Sequence, residues 1–506
     1  MLTPEQIAYL RDAAGQIADP INDFLLEDIA RRVSEAGQLT STAAYQVWRA
    51  QNLGISQREI KKRLREILQV SHRDLRRLLT QSAKVGYDFD IKHLPFVQSV
   101  PFERNAALQQ MVSAAVKLAL DDFTNLTQTL GMVDPFGRAL PLQDVYRKCC
   151  DFAFEQVFTG AADYNTAIRR ATKHLADRGV RTIDYESGVH TGLEAAVRRN
   201  VMGGLGLMQE QITQQNHDDL GADGWEISAH AASAPDHEPI QGKQYSNAAY
   251  TALNNSLVRR IGTLNCGHAA FPIILGVSAP QYAPEELAKF RTNNEKGVTY
   301  EGRHYTMYEA TQQQRKVERA IRRQKNRILV DDAAGDADKL TTDRIRLQRL
   351  NQEYARFSKA AGLPTQRERA QVAGFGRRET TEYQRTVAKY SAIRYNKDGT
   401  IVVTDDWTAR EHPRIPSQYA PNAVVDTVSL AGKQHDRTIY GPDGRMLMQI
   451  HGGDHGHPKQ HPYGSRGEHV HEFTWAGDGA ERTTREATRQ EREKNVDILG
   501  GEDSDG

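Results

Sequence analysis

Apolar residues recur at three- and four-residue steps through much of the first half of the chain. Ile21, Phe24, Leu25, Ile29 and Val33 form one such set, and Ile60, Leu64, Ile67 and Leu68 another. Each makes one stripe along a helix that must be buried against a neighbour. Starts are marked by Thr3 before Pro4, and by Ser56 followed three residues later by Glu59, the spacing of a capping box. Gly37 and Gly54 read as stops. Further helical patterns run from about Glu103 to Leu130, Leu142 to Phe158, Ala162 to Leu175 and Ser187 to His217. Gly203, Gly204 and Gly206 in the last of these suit close helix packing. The first 217 residues are predicted to be nearly all α.

The pattern changes at Trp225, where WEISAH alternates and Pro and Gly become frequent, so short strands and loops are expected up to about Tyr282. Long helical spacing returns with Val317, Ile321 and Ile328, and with Leu347, Leu350, Tyr354 and Phe357, separated by the turn-like DDAAGDADKL. Two stripes this narrow predict an antiparallel helical hairpin from about Tyr308 to Ala361. From Ile393 short β-like runs are punctuated by Asp398-Gly399 and Asp443-Gly444, dipeptides of tight hairpin turns. The fold class is mainly α with a central α+β domain, a helical hairpin and a small β-rich C-terminal module. The expected division is a helical domain at 1–217, an α+β domain at 218–300, a basic hairpin at 301–375, a His-rich β module at 393–475 and a disordered tail at 476–506, where apolar residues are sparse.

A length of 506 residues gives room for about three domains. Charge adds little, because 66 Lys and Arg against 65 Asp and Glu leave +1, and affinity for a polyanion would need a local patch. Three cysteines, Cys149, Cys150 and Cys266, build no disulfide framework and suit a reducing cytosol. The N-terminus lacks the basic and apolar regions of an export signal, and the longest apolar run, Phe271 to Val277, is too short to span a bilayer, so no membrane anchor is expected.

Candidate chemistry concentrates in three places. In MQIHGGDHGHPKQHPYGSRGEHVHEF, His451, Asp454, His455, His457, His461, His469 and His471 crowd together. His469 and His471, two apart on a strand, put both rings on one face, where an ion such as zinc can bridge them. A solvated His-rich loop is the plain alternative; metal-assisted hydrolysis with Asp454 or Glu472 as base is a further reading. In the centre, Asp236, His237, Cys266 and His268 are plausible zinc ligands, although buried polar residues that pin loops would read the same way. The run RKVERAIRRQKNR sets Arg315, Lys316, Arg319, Arg322, Arg323, Lys325 and Arg327 against Glu318. It could neutralise phosphates of double-stranded DNA or face a partner, but it has no interleaved aromatics, and pairing with acids on a neighbouring helix is the simpler reading. Phosphate-binding glycine loops, G-x-S-x-G and H-E-x-x-H do not occur, which removes the common nucleotide-binding, esterase and zincin readings.

Several ordered blocks carry a resemblance: LTSTAAYQVWRAQNLGISQREIKKRLREIL, SAPDHEPIQGKQYS with NCGHAAFPIILGVSAPQY, and YEATQQQRKVERAIRRQKNRI with EYARFSKAAGL. Together, across residues 1 to about 375, they resemble the phage minor capsid protein 2 family. The central block is also similar to the Mu-type head-morphogenesis domain, with Ala234 where that pattern more often has arginine. The resemblance implies a virion structural protein of a tailed phage or prophage, made in the bacterial cytoplasm. It would be incorporated in several copies at or near the portal vertex, beside the portal protein and other head proteins and near packaged DNA. The His-rich module lies outside it and is open to another role, including that of a metal-dependent hydrolase, nuclease or toxin.

Overall fold

The computed structural model describes residues 4–92, 100–183, 190–219, 221–262, 267–407, 415–428, 435–476 and 479–500. It is mainly α, and the chain divides into two compact units, residues 1–336 with 350–376, and 337–349 with 377–506.

The first unit opens with helices α1 (Pro4–Gln16), α2 (Asp19–Gly37) and α3 (Thr42–Lys92). Of the predicted stripe on α2, Ile21, Leu25, Ile29 and Val33 have no exposed surface, as has Leu26 beside them, while Phe24 is half-buried; each fully buried side chain contributes roughly 1.5–3 kcal/mol by leaving water. Gly37 ends α2 as expected, but α3 runs unbroken past Gly54 and Ser56. A glycine costs a helix about 1 kcal/mol, and the burial of Leu75, Leu79 and Ala83 further along the same helix outweighs it.

Helices α4 (Ala106–Gln128), α5 (Leu142–Phe158), α6 (Tyr164–Arg178) and α7 (Leu193–Asp219) follow. Asn105 and Asp163 cap two of them, accepting from Leu108 N and Thr166 N. Between them lies a small sheet absent from the sequence expectation: β1 (Leu130–Val133), β2 (Ala139–Pro141), β3 (Arg181–Ile183) and β4 (His190–Gly192), in the order β2-β1-β3-β4. Strands of three or four residues are too short for alternation to show. Cys149 and Cys150, fully buried on α5, are held as thiols because burial pushes both up.

The central segment is a three-stranded antiparallel sheet of β5 (Gly224–Ile227), β6 (Gln244–Ser246) and β7 (Ala270–Ile273), with α8 (Asn247–Ser256) after β6. Buried Glu226 on the middle strand accepts from Gln281 N and Gln244 Nε2 and so ties the loops together. Helix α9 (Pro284–Lys296) and a hairpin of β8 (Val298–Tyr300) and β9 (Arg303–Tyr305) come next. Glu301 and Gly302, at φ 48° and 79°, make its two-residue turn.

The expected helical hairpin is α10 (Met307–Ala334) and α11 (Ala337–Ala361). Thr306 and Glu309 form a capping box at its start, and Gly335, at φ 74°, reverses the chain. It is not a separate domain. Helix α10 packs on α2 and α6, and the residues of α11 divide between the two units. Segments 1–217, 218–300 and most of 301–375 therefore share one unit.

The second unit contains α12 (Arg377–Lys389) and a six-stranded sheet of β10 (Asp405–Asp406), β11 (Val424–Val428), β12 (His435–Tyr440), β13 (Met446–His451), β14 (His469–Ala476) and β15 (Gly479–Arg485), ordered as in sequence. The first pair is parallel and the rest form an antiparallel meander. Gly444, at φ 78°, turns β12 into β13 as the Asp-Gly signal predicts.

The tail corrects the expectation of disorder. Residues 479–485 pair along β14, and α13 (Arg489–Lys494) and α14 (Val496–Leu499) close over the sheet. Ala487, Ile498 and Leu499 bury against Ile450 and Val470. Arg437, 1 % exposed, bonds Asp426, Asn495 and Asp497, and Arg485 holds Glu491 through two bonds of 2.7 and 2.8 Å. Average composition hides a segment in which a few apolar residues and a few charged groups find partners.

Candidate metal centre

The pairing of β13 with β14 sets His451 directly opposite His469 and Gln449 opposite His471. Because alternate residues share a face, His469 and His471 both present their rings beside His451. The chain leaves β13 through Gly452, where a Cβ would lie 2.8 Å from the His435 carbonyl oxygen and 3.1 Å from that of Ile498. His455 and Gly456 follow at φ 55° and 79°. Two successive left-handed residues turn the loop back and carry His455 over the strand pair, a conformation that costs a non-glycine residue of order 1–3 kcal/mol.

His451, His455 and His469 each offer a ring nitrogen, and these atoms all lie within 4.8 Å of one another. His461 stacks on His469 at 4.0 Å between centroids, and His471 stands 4.7 Å from both His451 and His469. His469 Nδ1 donates to the Gly467 carbonyl at 2.8 Å, which leaves Nε2 with a lone pair. That Nε2 is buried without a hydrogen-bond partner, as are both ring nitrogens of His451 and Nδ1 of His461. Asp436 Oδ1 on β12 approaches His451 Nδ1 to 3.1 Å without the alignment of a hydrogen bond.

Burial is the main reason that His469 is pushed down to about 4 and His471 to about 3, with the neighbouring imidazoles acting in the same direction. His455 is lowered for the same reason. The rings of His455, His469 and His471 are therefore biased to the neutral form, with lone pairs available. Orphaned buried nitrogens cost about 1–3 kcal/mol each, and a cation between them turns that cost into coordination. An all-imidazole donor set suits zinc or a similar transition ion far better than magnesium or calcium, which take oxygen ligands.

The structure thus joins His451, His455 and His469, with His461 and His471 alongside. His457 is exposed, and Asp454 is used in its own turn, where its Oδ1 accepts from Gly456 N at 2.8 Å. Glu472, offered above as a base, alternates away from His471 and pairs with Arg485 at 3.1 Å. Sequence reading missed Asp436, whose place opposite His451 is fixed only by strand register, and Thr484, which meets His471 Nδ1 at 2.9 Å.

In the central segment His237 and His268 are fully buried with their Nδ1 atoms 3.4 Å apart. His237 Nε2 lies 2.9 Å from the Arg259 carbonyl and His268 Nε2 3.0 Å from Gln241 Oε1. One Nδ1 donates to the other, with the direction set by the tautomer, so the pair is hydrogen-bonded within the loops it pins. Burial lowers His237, which favours the neutral ring. Asp236 instead pairs with Arg259 at 2.9 Å, and Cys266 lies outside the described residues.

The basic run does not form one free stripe. Lys316, Arg319 and Arg323 are exposed, but the others turn inward. Arg322, 15 % exposed in its side chain, bonds Asp19 at 2.5 Å and Glu194 at 2.9 Å. Arg327 bonds Asp177 at 2.6 Å, and Lys325 the Ala370 carbonyl at 2.7 Å. Arg315 is half-buried. Helical rotation of about 100° per residue spreads seven cations around the axis, and the packing of α10 on α2 and α6 takes several of them inside.

Among the described residues no helix is long and apolar enough to cross a membrane. No curated protein and no solved structure matches the chain. The family model of phage minor capsid protein 2 matches residues 2–358, more than two thirds of the 506. The match spans the helical core, the central sheet and nearly all of the α10–α11 pair, and it ends before the histidine-bearing strands. The chain belongs to the phage minor capsid protein 2 family.

Proposed function

We propose that this minor capsid protein is built into the phage head at or near the portal vertex, in several copies, and that its C-terminal unit is a zinc-binding appendage to that role. The observation that supports the division is that the family match ends at residue 358, whereas His451, His455 and His469 belong to the second unit. Head assembly rests on the family. The metal reading rests on the convergence of three imidazole nitrogens within 4.8 Å of one another, with both nitrogens of His451 and Nε2 of His469 buried without a hydrogen-bond partner, a set that would hold a structural or a reactive ion.

A second reading, hydrolase, nuclease or toxin activity, draws on the number of ligands. Three protein nitrogens leave a tetrahedral ion one position for water, and the ion would lower the pKa of that water.

The test uses the full-length chain and its His451→Ala/His469→Ala variant, each tagged and presented to the portal and major capsid proteins of the same genome, with zinc measured on the purified proteins. The expected result is equal capture of the portal by both chains, with one zinc per wild-type chain and none on the variant. Failure of the wild type to retain any head protein would overturn the head-assembly reading. Metal-free wild type after growth in zinc would overturn the metal reading.

A further inference from the structure

Helices α1, α7 and α10, together with Arg369 after α11, line a solvent-open cavity of about 280 Å³ in the first unit. Six arginines reach it: Arg11, Arg198, Arg315, Arg319, Arg322 and Arg369. Three carboxylates, Asp12, Glu194 and Glu318, share the lining, so the formal excess is three positive charges.

The carboxylates are largely engaged. Asp12 pairs with Arg369. Glu194 accepts from Arg322 at 2.9 Å and lies 3.7 Å from Arg198. Glu318 accepts from the Tyr354 hydroxyl at 2.9 Å, and burial raises its pKa. Arg315 has no ion-pair partner among the described residues. Burial and then Arg315 push the Arg11 guanidinium down to about 10, and burial and then Arg369 lower Arg315. Guanidinium groups brought together out of water repel one another unless an anion sits among them.

We propose that this cavity binds a compact polyanion of the phosphate class, a di- or triphosphate group. Arginine forks suit phosphate oxygens because each can donate two parallel N–H bonds. The lining has no aromatic side chain, so a base finds no stacking face and recognition rests on the phosphates. A cavity of this size admits a short phosphate chain and excludes a duplex. Arg315, Arg319 and Arg322, read from sequence as candidates for DNA, are thereby given a small ligand. The four segments meet only in the folded unit, so the site also couples ligand binding to the packing of α1, α7 and α10.

The test is calorimetric titration of the full chain at fixed ionic strength with three probes: inorganic pyrophosphate, a nucleoside triphosphate and a short DNA duplex. Saturable one-to-one binding of pyrophosphate is expected, weakened at least tenfold in Arg315→Gln and in Arg198→Gln. Equal affinity for the nucleotide would identify the phosphate chain as the recognised group. Ligand-free Arg315→Gln should melt no lower than wild type, because a repelling charge has gone, and pyrophosphate should raise the Tm of the wild type alone. Absence of saturable pyrophosphate binding, unchanged affinity in both variants, binding of the duplex only, or a lowered Tm of ligand-free Arg315→Gln would overturn the proposal.

Discussion

Helix α10 carries seven basic residues between Arg315 and Arg327, and the β13–β14 pair with its loop carries six histidines between His451 and His471. Both runs concentrate one kind of side chain, but the fold handles them in opposite ways. On the helix each side chain points about 100° from the last, so neighbours in sequence meet different surroundings: Arg322 meets Asp19 and Glu194, Arg327 meets Asp177, and Arg323 meets solvent. On the strands alternation returns every second residue to one face, and antiparallel pairing brings the end of one strand to the start of the next. His451, His469 and His471 therefore converge before any loop is placed. A dense helical run is dispersed by geometry; a dense strand pair is focused by it.

The largest effect is expected from Arg322→Ala. Removing one member of a buried ion pair and leaving Asp19 enclosed should cost about 3–5 kcal/mol, read as a lower urea midpoint for the first unit, whereas Arg323→Ala should change it by less than about 0.5 kcal/mol. Equal effects would mean that the inward and outward positions are not distinct. Next, His469→Ala or His451→Ala should abolish stoichiometric zinc binding, while His457→Ala leaves it intact, with zinc competition against a chelator as the readout. If the three substitutions were equivalent, the cluster would be a solvated loop and not a centre.

A smaller effect is expected from Asp436→Asn. A carboxylate behind a ligand imidazole typically contributes about 10–100-fold in metal affinity, so a loss within that range would place Asp436 in support of His451.

The smallest effect concerns pH. Burial alone would raise Glu491, but its bonds from Arg485 and Thr488 outweigh this and hold it down at about 2. A carboxylate depressed in the folded state adds stability that is complete above its unfolded pKa near 4.5 and is lost as pH falls through its folded value. Amide exchange of residues 479–499 should accordingly quicken between about pH 4.5 and 2, and Glu491→Gln should remove that part of the pH dependence.

Much of the helical scaffold was legible in the chain. The α2 stripe, the stop at Gly37, the bounds of α5 and the Asp-Gly turn between β12 and β13 all follow from local spacing and from the backbone freedom of glycine. Where local signals failed, distant contacts had overruled them. Gly54 did not break α3, because packing further along the helix offset its cost, and the tail did not stay disordered, because Arg437 and the Ile450–Val470 surface received it. The sheet of β1–β4 was invisible because each strand is too short to carry a period.

By itself the sequence determined the membership of the family, the helical character of the first unit and the identity of the histidines that could hold an ion, all of which depend on residue type and short-range order. Tertiary structure decided which of those histidines meet, that Asp436 backs one of them, and that several cations of α10 face acids and a shared cavity. Those outcomes depend on strand register and helix packing, which bring together atoms far apart in the chain, and no spacing along the chain encodes them directly.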